Sequence, residues 1–290
     1  MSKRVWLEVA LNGGWTRKRQ PLIPVSRDEL TEEAIRCVNA GAAVVHLHAY
    51  DEQLGHQNDD PDVYADVIKN IKREVDAIVY PTVGQLPTKP DSVERYAPIE
   101  TLCKQGLLEW SVIDPGSVNF SNFEDLKKNK LGYVYTNSEQ HIRNGFAIAQ
   151  QYKLHPSFAI YEPGFIRLGA TLFKSMNDVP LPIYRFMFTD AFAFGLPPER
   201  FALETYITMM QREHPEAPWM TAGRCSEISA LVAPTVAAGG HLRIGLEDAP
   251  LGTKLTNLDW VKKTVDLIEK AGGSMANAKE IRQSLSTKSK

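Results

Sequence analysis

From its N-terminus the chain alternates short apolar runs with longer stretches in which apolar residues recur every three or four positions. The runs fit buried parallel strands and the stretches fit amphipathic helices. The first run, 5-VWLEVAL-11, ends at Asn12-Gly13-Gly14-Trp15, where two glycines permit a tight turn. Ser26 opens a capping-box pattern, 26-SRDE-29, and the spacing of Leu30, Ala34, Ile35 and Val38 carries a helix to the stop at Gly41. The run 42-AAVVHLHAYD-51 follows.

The alternation continues with helix 62–75 before strand 77–84, helix 91–106 before strand 107–117, and helix 138–153 before strand 157–164. Pro98 implies a kink or break in the second of these helices. Helix 165–176 then leads to strand 183–192, helix 199–212 to strand 218–225, and helix 227–238 to strand 241–248. A helix over 257–271 closes the set, and the lysine-rich end is expected to fray. Eight strands alternating with eight helices in 290 residues predict an α/β fold, a single (β/α)8 TIM barrel over residues 1–290. A doubly wound open sheet uses the same alternation, but no GxGxxG or phosphate-loop signature favours it.

Composition narrows the class. The formal net charge of -2 gives no general attraction to nucleic acid or to an anionic membrane. MSKRVWLEVA places charges where an export signal needs an apolar core, and no segment has the apolar length of a membrane span. Cys37, Cys103 and Cys225 are too few and too scattered for a disulfide framework, so they read as core residues in a reducing cytoplasm.

The chemistry centres on His46-Leu47-His48. Strand side chains alternate, so the two imidazoles share a face while Leu47 points into the other layer. Two hydrogen-bonded strand residues or two ligands to one metal ion both fit that spacing, and a third ligand decides between them. In a barrel, functional residues stand at the C-terminal ends of the strands. There the sequence offers Asn12, Thr82, Asp114, Ser117, Glu162, Asp190, Arg224, Arg243, Glu247 and Asp248. On the last strand, period two puts Arg243, Gly245 and Glu247 on one face and Leu246 and Asp248 on the other, unless the chain turns at Glu247. Strands one, two and eight are neighbours when a barrel closes, so Glu247 can join His46 and His48 in a three-ligand site with one open position. Such a set suits zinc, with iron, cobalt or manganese as alternatives.

Competing readings accompany these residues. Arg243 and Glu247 can form a buried ion pair that locks the last strand, and Glu162 can serve as a loop hydrogen bond before Pro163-Gly164. The loop Arg17-Lys18-Arg19 can meet phosphates or carboxylates, or stay solvated.

The glycine turn after the first strand, 41-GAAVVHLH-48, 116-GSVNF-120, 162-EPG-164 and 245-GLED-248 together resemble the β-keto acid cleavage enzymes, over nearly the whole chain. The resemblance implies a zinc-dependent barrel, a homotetramer, that takes a β-keto acid and acetyl-CoA and returns acetoacetate and a new acyl-CoA. It places the zinc ligands on His46, His48 and Glu247, the catalytic carboxylate on Asp248, Arg243 as its orienting group, and Glu162 nearby. Thr82 falls on a substrate-contacting hydroxyl, and Ser117 lies in the matching 116-GSVNF-120 segment.

Trp15, Gln85 and Asp114 depart from the family pattern and are expected to reshape the substrate pocket. Asp114 with Trp15 can receive a cationic tail; alternatively Asp114 bonds its own turn and Trp15 is a lid. A zinc hydrolase, or a class II aldolase-like lyase, uses the same ligands without acyl-CoA, and a non-catalytic barrel closes its metal shell.

Overall fold

The structure is a computed structural model and describes residues 3–84 and 93–287. Eight strands make the central sheet: β1 Leu7–Ala10, β2 Val44–Leu47, β3 Ile78–Pro81, β4 Trp110–Val112, β5 His155–Ile160, β6 Ile183–Phe188, β7 Trp219–Gly223 and β8 His241–Ile244. They are joined in the order β3-β2-β1-β8-β7-β6-β5-β4, every pair parallel. The last strand thus pairs with the first, which an open doubly wound sheet does not do. β3 and β4, at the two ends of this order, still pack against each other, so the barrel is nearly closed.

Between the strands run the helices α1 Arg27–Asn39, α2 Pro61–Glu74, α3 Ala97–Lys104, α4 Glu139–Tyr152, α5 Pro163–Lys174, α6 Arg200–Glu213 and α7 Ser229–Ala237, with α8 Asn257–Lys270 after β8. The capping box at Ser26 is present, with Ser26 and Glu29 bonding each other's backbone. Pro98 causes no kink. It stands in the first turn of α3, where a missing N–H costs nothing, and a 3₁₀ turn over Val93–Tyr96 precedes it.

Four pieces lie outside the predicted pattern. Lys3–Val5 is a separate strand that pairs with Gly273–Met275, and the end expected to fray continues as helix α9, Ala278–Thr287. Residues 288–290 lie outside the described residues, as does Gln85. Two hairpins, Tyr50–Asp51 with His56–Gln57 and Val118–Phe120 with Tyr133–Tyr135, rise beyond the ends of β2 and β4.

No helix of the described residues is long and apolar enough to cross a membrane. The three cysteines are free, and burial pushes the Cys103 thiol up to about 12 and Cys225 to about 11, which holds them protonated.

Candidate active site

The site grows from the register of four strands. Ala10 stands opposite His46, His46 opposite Tyr80, and Arg243 opposite Glu8. His48 lies just past the end of β2, where no strand neighbour remains. Asn12 supplies the missing ladder: its Oδ1 accepts from the His48 N–H at 2.9 Å and its Nδ2 donates to the His48 carbonyl at 2.9 Å. This side-chain pairing extends β2 far enough to keep both histidines on one face.

Beyond Ile244 the chain turns at Gly245, two residues earlier than the sequence alternative allowed. Gly245 has φ of +131°, and a Cβ there would lie 2.2 Å from the Ala10 carbonyl oxygen. Only glycine fits that close approach. The amides of Asp248 and Ala249 bond back to the Gly245 carbonyl, so Asp248 does not take the opposite face as alternation predicts. Glu247 and Asp248 both reach Arg243. The first glycine turn closes over this segment: Gly13 has φ of +60° with room only for hydrogen against Glu247, and Trp15 Nε1 donates to the Glu247 carbonyl at 2.9 Å.

Glu247 Oε2 lies 3.5 Å from Nε2 of both His46 and His48. The candidate ligand atoms of these three buried residues fall within 4.8 Å of one another. His48 Nδ1 meets Gln57 Oε1 at 2.9 Å, and the Gln57 amide donates to both oxygens of Asp59 at 2.9 and 3.0 Å. Asp59 fixes the amide, the amide fixes the proton on His48 Nδ1, and the Nε2 lone pair is left facing Glu247. His48 Nε2 and Glu247 Oε2 are both buried with no hydrogen-bond partner. Orphaned acceptors of this kind are costly unless a cation lies between them, so the residues fit a divalent metal ion.

The electrostatics agree with that fit. Burial drives the His46 pKa well below its ordinary value, which keeps the imidazole neutral. Burial alone would raise Glu247, but the Arg243 guanidinium beside it holds its carboxyl well below the usual range. Arg243 is saturated: it bonds Asp248 at 2.7 Å, Glu8 at 2.8 Å and Glu247 at 3.1 Å. Burial and the neighbouring Glu247 charge outweigh Arg243 at Asp248 and raise it to about 6. Removing one partner from such a cluster costs roughly 3–5 kcal/mol because an uncompensated charge stays behind.

The cluster opens into a cavity of about 640 Å³. On its wall stand His46, His48, Glu247, Arg243, Thr82, Asp114 and Trp15. Three expected residues are elsewhere. Asp248 borders a separate small cavity, which Arg243 shares. The Glu162 carboxylate, at the N-cap of α5, accepts the Gly195 N–H at 3.2 Å, the loop role. Ser117 Oγ exchanges hydrogen bonds with the Asn137 backbone, which fixes the turn before the second hairpin.

Asp114 is on the wall but occupied. It accepts from the Tyr135 hydroxyl at 2.6 Å and the Ala159 N–H at 2.8 Å, with Arg185 at 3.7 Å. A carboxylate so engaged offers little to a cationic tail. Trp15 carries two guanidinium groups near its ring, Arg224 at 4.7 Å and Arg19 at 4.9 Å, which also speaks against a cationic guest there. Glu8, Gln57, Asp59, Tyr135 and Arg185 were not singled out by sequence reasoning. Glu8 and Arg185 carried a signal all the same: a lone charge inside the apolar strands LEVA and IYRFMF.

The model of the family described as beta-keto acid cleavage enzyme matches residues 4–286. A 3-keto-5-aminohexanoate cleavage enzyme of Fusobacterium nucleatum is 26% identical over 279 residues, covering 94% of each chain. A 3-dehydrocarnitine:acetyl-CoA trimethylamine transferase of Rhizobium meliloti is 25% identical over 306 residues, covering 98% of this chain and 97% of that one. Among solved structures, the binary complex of ObcA with oxaloacetate matches in fold, with a TM-score of 0.74 at 17% identity over 92% of this chain and 67% of that chain. The chain belongs to the beta-keto acid cleavage enzyme family.

Proposed function

We propose that this protein is a metal-dependent acyltransferase that converts a β-keto acid and acetyl-CoA into acetoacetate and a new acyl-CoA. The observation that carries the reading is the buried trio His46, His48 and Glu247, with orphaned acceptors, at the wall of an open cavity in a chain of this family. A purely structural metal site closes its coordination shell; this one faces space for a substrate. The names of the relatives, which include acetyl-CoA transfer, support the co-substrate.

Bound by His46, His48 and Glu247, a borderline ion such as zinc supplies Lewis-acid chemistry that eases proton loss beside a keto group. In our reading Asp248 accepts that proton from C2 of the β-keto acid, oriented by Arg243, which borders both cavities. C2 then bonds to the acetyl carbon and the CoA thiolate leaves. The thiolate adds to the original keto carbon, the C2–C3 bond breaks, and the proton returns to C2. Atoms balance with no covalent enzyme intermediate. Thr82 lines the wall as a hydroxyl for the substrate, and Trp15 lines the same cavity. The enzyme works as one barrel domain, assembled as a homotetramer in the cytoplasm.

The test mixes zinc-loaded protein with a panel of β-keto acids, with and without acetyl-CoA, and assays acetoacetate. The reading predicts acetoacetate only when acetyl-CoA is present. Turnover without any acyl-CoA assigns the site to a hydrolase or an aldolase-like lyase instead. For Asp248, exchange of C2 protons with deuterium in the absence of acetyl-CoA is expected in the wild type and lost in Asp248→Asn. Retained exchange removes it as the base and leaves it a positioning residue for Arg243.

A further inference from the structure

Arg224 stands at the end of β7 with its side chain 12% exposed, on the wall of the main cavity. Its backbone is tied down: its N–H donates to the Phe188 carbonyl at 2.8 Å and its own carbonyl accepts from Thr189 Oγ1 at 2.8 Å. Its guanidinium lies over the Trp15 indole, itself pinned by its bond to the Glu247 backbone. The head group is thus held in place, yet poorly satisfied.

Its Nε is buried without a partner. Nη1 has only long contacts to Glu247, 3.4 Å to the carbonyl oxygen and 3.7 Å to Oε1. Arg243, by contrast, has three carboxylates between 2.7 and 3.1 Å. Burying a guanidinium and leaving its donors unused is expensive, and a cavity-facing cation in this state is built to receive an anion. The place of that anion follows from the distances. Glu247 offers Oε1 to Arg224 at 3.7 Å and Oε2 to both histidines at 3.5 Å, so one small carboxylate spans from the candidate metal site to Arg224.

We propose that Arg224, seated on Trp15, binds the C1 carboxylate of the β-keto acid and thereby turns its C2 toward the metal-ligand cluster. This rests on the reaction proposed above only for the identity of the acid; the anion site itself stands on Arg224. Arg19, near the same ring and exposed at the rim, adds positive charge along the approach.

Malonate and acetylacetone separate the roles, because both offer two oxygens to a metal but only malonate brings carboxylates. Titration calorimetry on zinc-loaded wild type, Arg224→Met and Arg224→Lys measures both probes, with zinc content determined on each protein. Arg224→Met is expected to weaken malonate by roughly 10- to 100-fold and leave acetylacetone nearly unchanged. Arg224→Lys should recover part of the loss, and it serves as the folded comparison if the Met variant is unstable. Equal weakening of both probes, unchanged malonate binding, or no malonate binding by the wild type overturns the assignment. A wild type that binds malonate through Arg224 but produces no acetoacetate breaks the proposed reaction and leaves the anion site standing.

Discussion

The two walls of the cavity differ in how their polar atoms are used. On the wall of β1, β2 and β8, the groups pointing inward are held from behind and left open in front: Gln57 and Asp59 hold His48, and Arg243 holds Glu247, yet His48 Nε2 and Glu247 Oε2 have no partner. On the wall of β4, β5 and the second hairpin, Asp114 is consumed by Tyr135 and Ala159, and the remaining surface is aromatic. Phe120, Tyr135, Tyr161, Phe192 and Phe194 pack there edge to face and face to face, with Phe120 centroids 4.7 to 5.6 Å from its neighbours. One wall leaves acceptors open at the ligand cluster; on the other the carboxylate is finished, and the unpartnered group beside it is a donor, Arg185 Nε. Reactivity belongs to the first and shape to the second.

Substitutions on the open wall therefore should cost chemistry, and those on the finished wall should cost stability and fit. The largest effect is expected for His46→Ala: the ligand set falls to two, and turnover drops by ~10³-fold or more in a steady-state assay. Asp248→Asn is expected to keep its metal while turnover falls roughly 10²- to 10⁴-fold. Gln57→Leu removes the group that orients His48, and zinc affinity measured by competition with a chelator should fall about 10- to 100-fold while the fold persists. Tyr135→Phe takes one hydrogen bond from Asp114 on the finished wall. It should lower the stability measured by denaturant unfolding by about 1.5–3 kcal/mol and leave zinc content unchanged. A Tyr135→Phe protein that loses metal would erase the contrast between the walls.

What could be read from the chain follows the reach of local rules. Strand and helix periods fix element type, so the barrel and the shared face of His46 and His48 were visible, and closure of strands one, two and eight brought in Glu247. The face of Asp248 was not visible, because the turn depends on Gly245 meeting the Ala10 backbone across the sheet. Glu162 and Ser117 occupy strand-end positions whose side-chain direction is set by distant partners, Gly195 and Asn137. The second hairpin was missed because a helical turn over Phe123–Leu126 interrupts the connection between its strands. Charged residues inside strands, Glu8 and Arg185, broke the apolar pattern and were the legible sign of a polar barrel interior, where Tyr80 donates to Glu8 at 2.7 Å.

The central claim is a metal ion held by His46, His48 and Glu247, and metal content tests it directly. Wild type and Glu247→Ala, dialysed against metal-free buffer and measured by plasma mass spectrometry, should carry about one zinc per chain and almost none, respectively. A folded wild type that holds no metal and takes up none when zinc is added would contradict the account, leaving the two histidines and Glu247 as a buried hydrogen-bonded cluster.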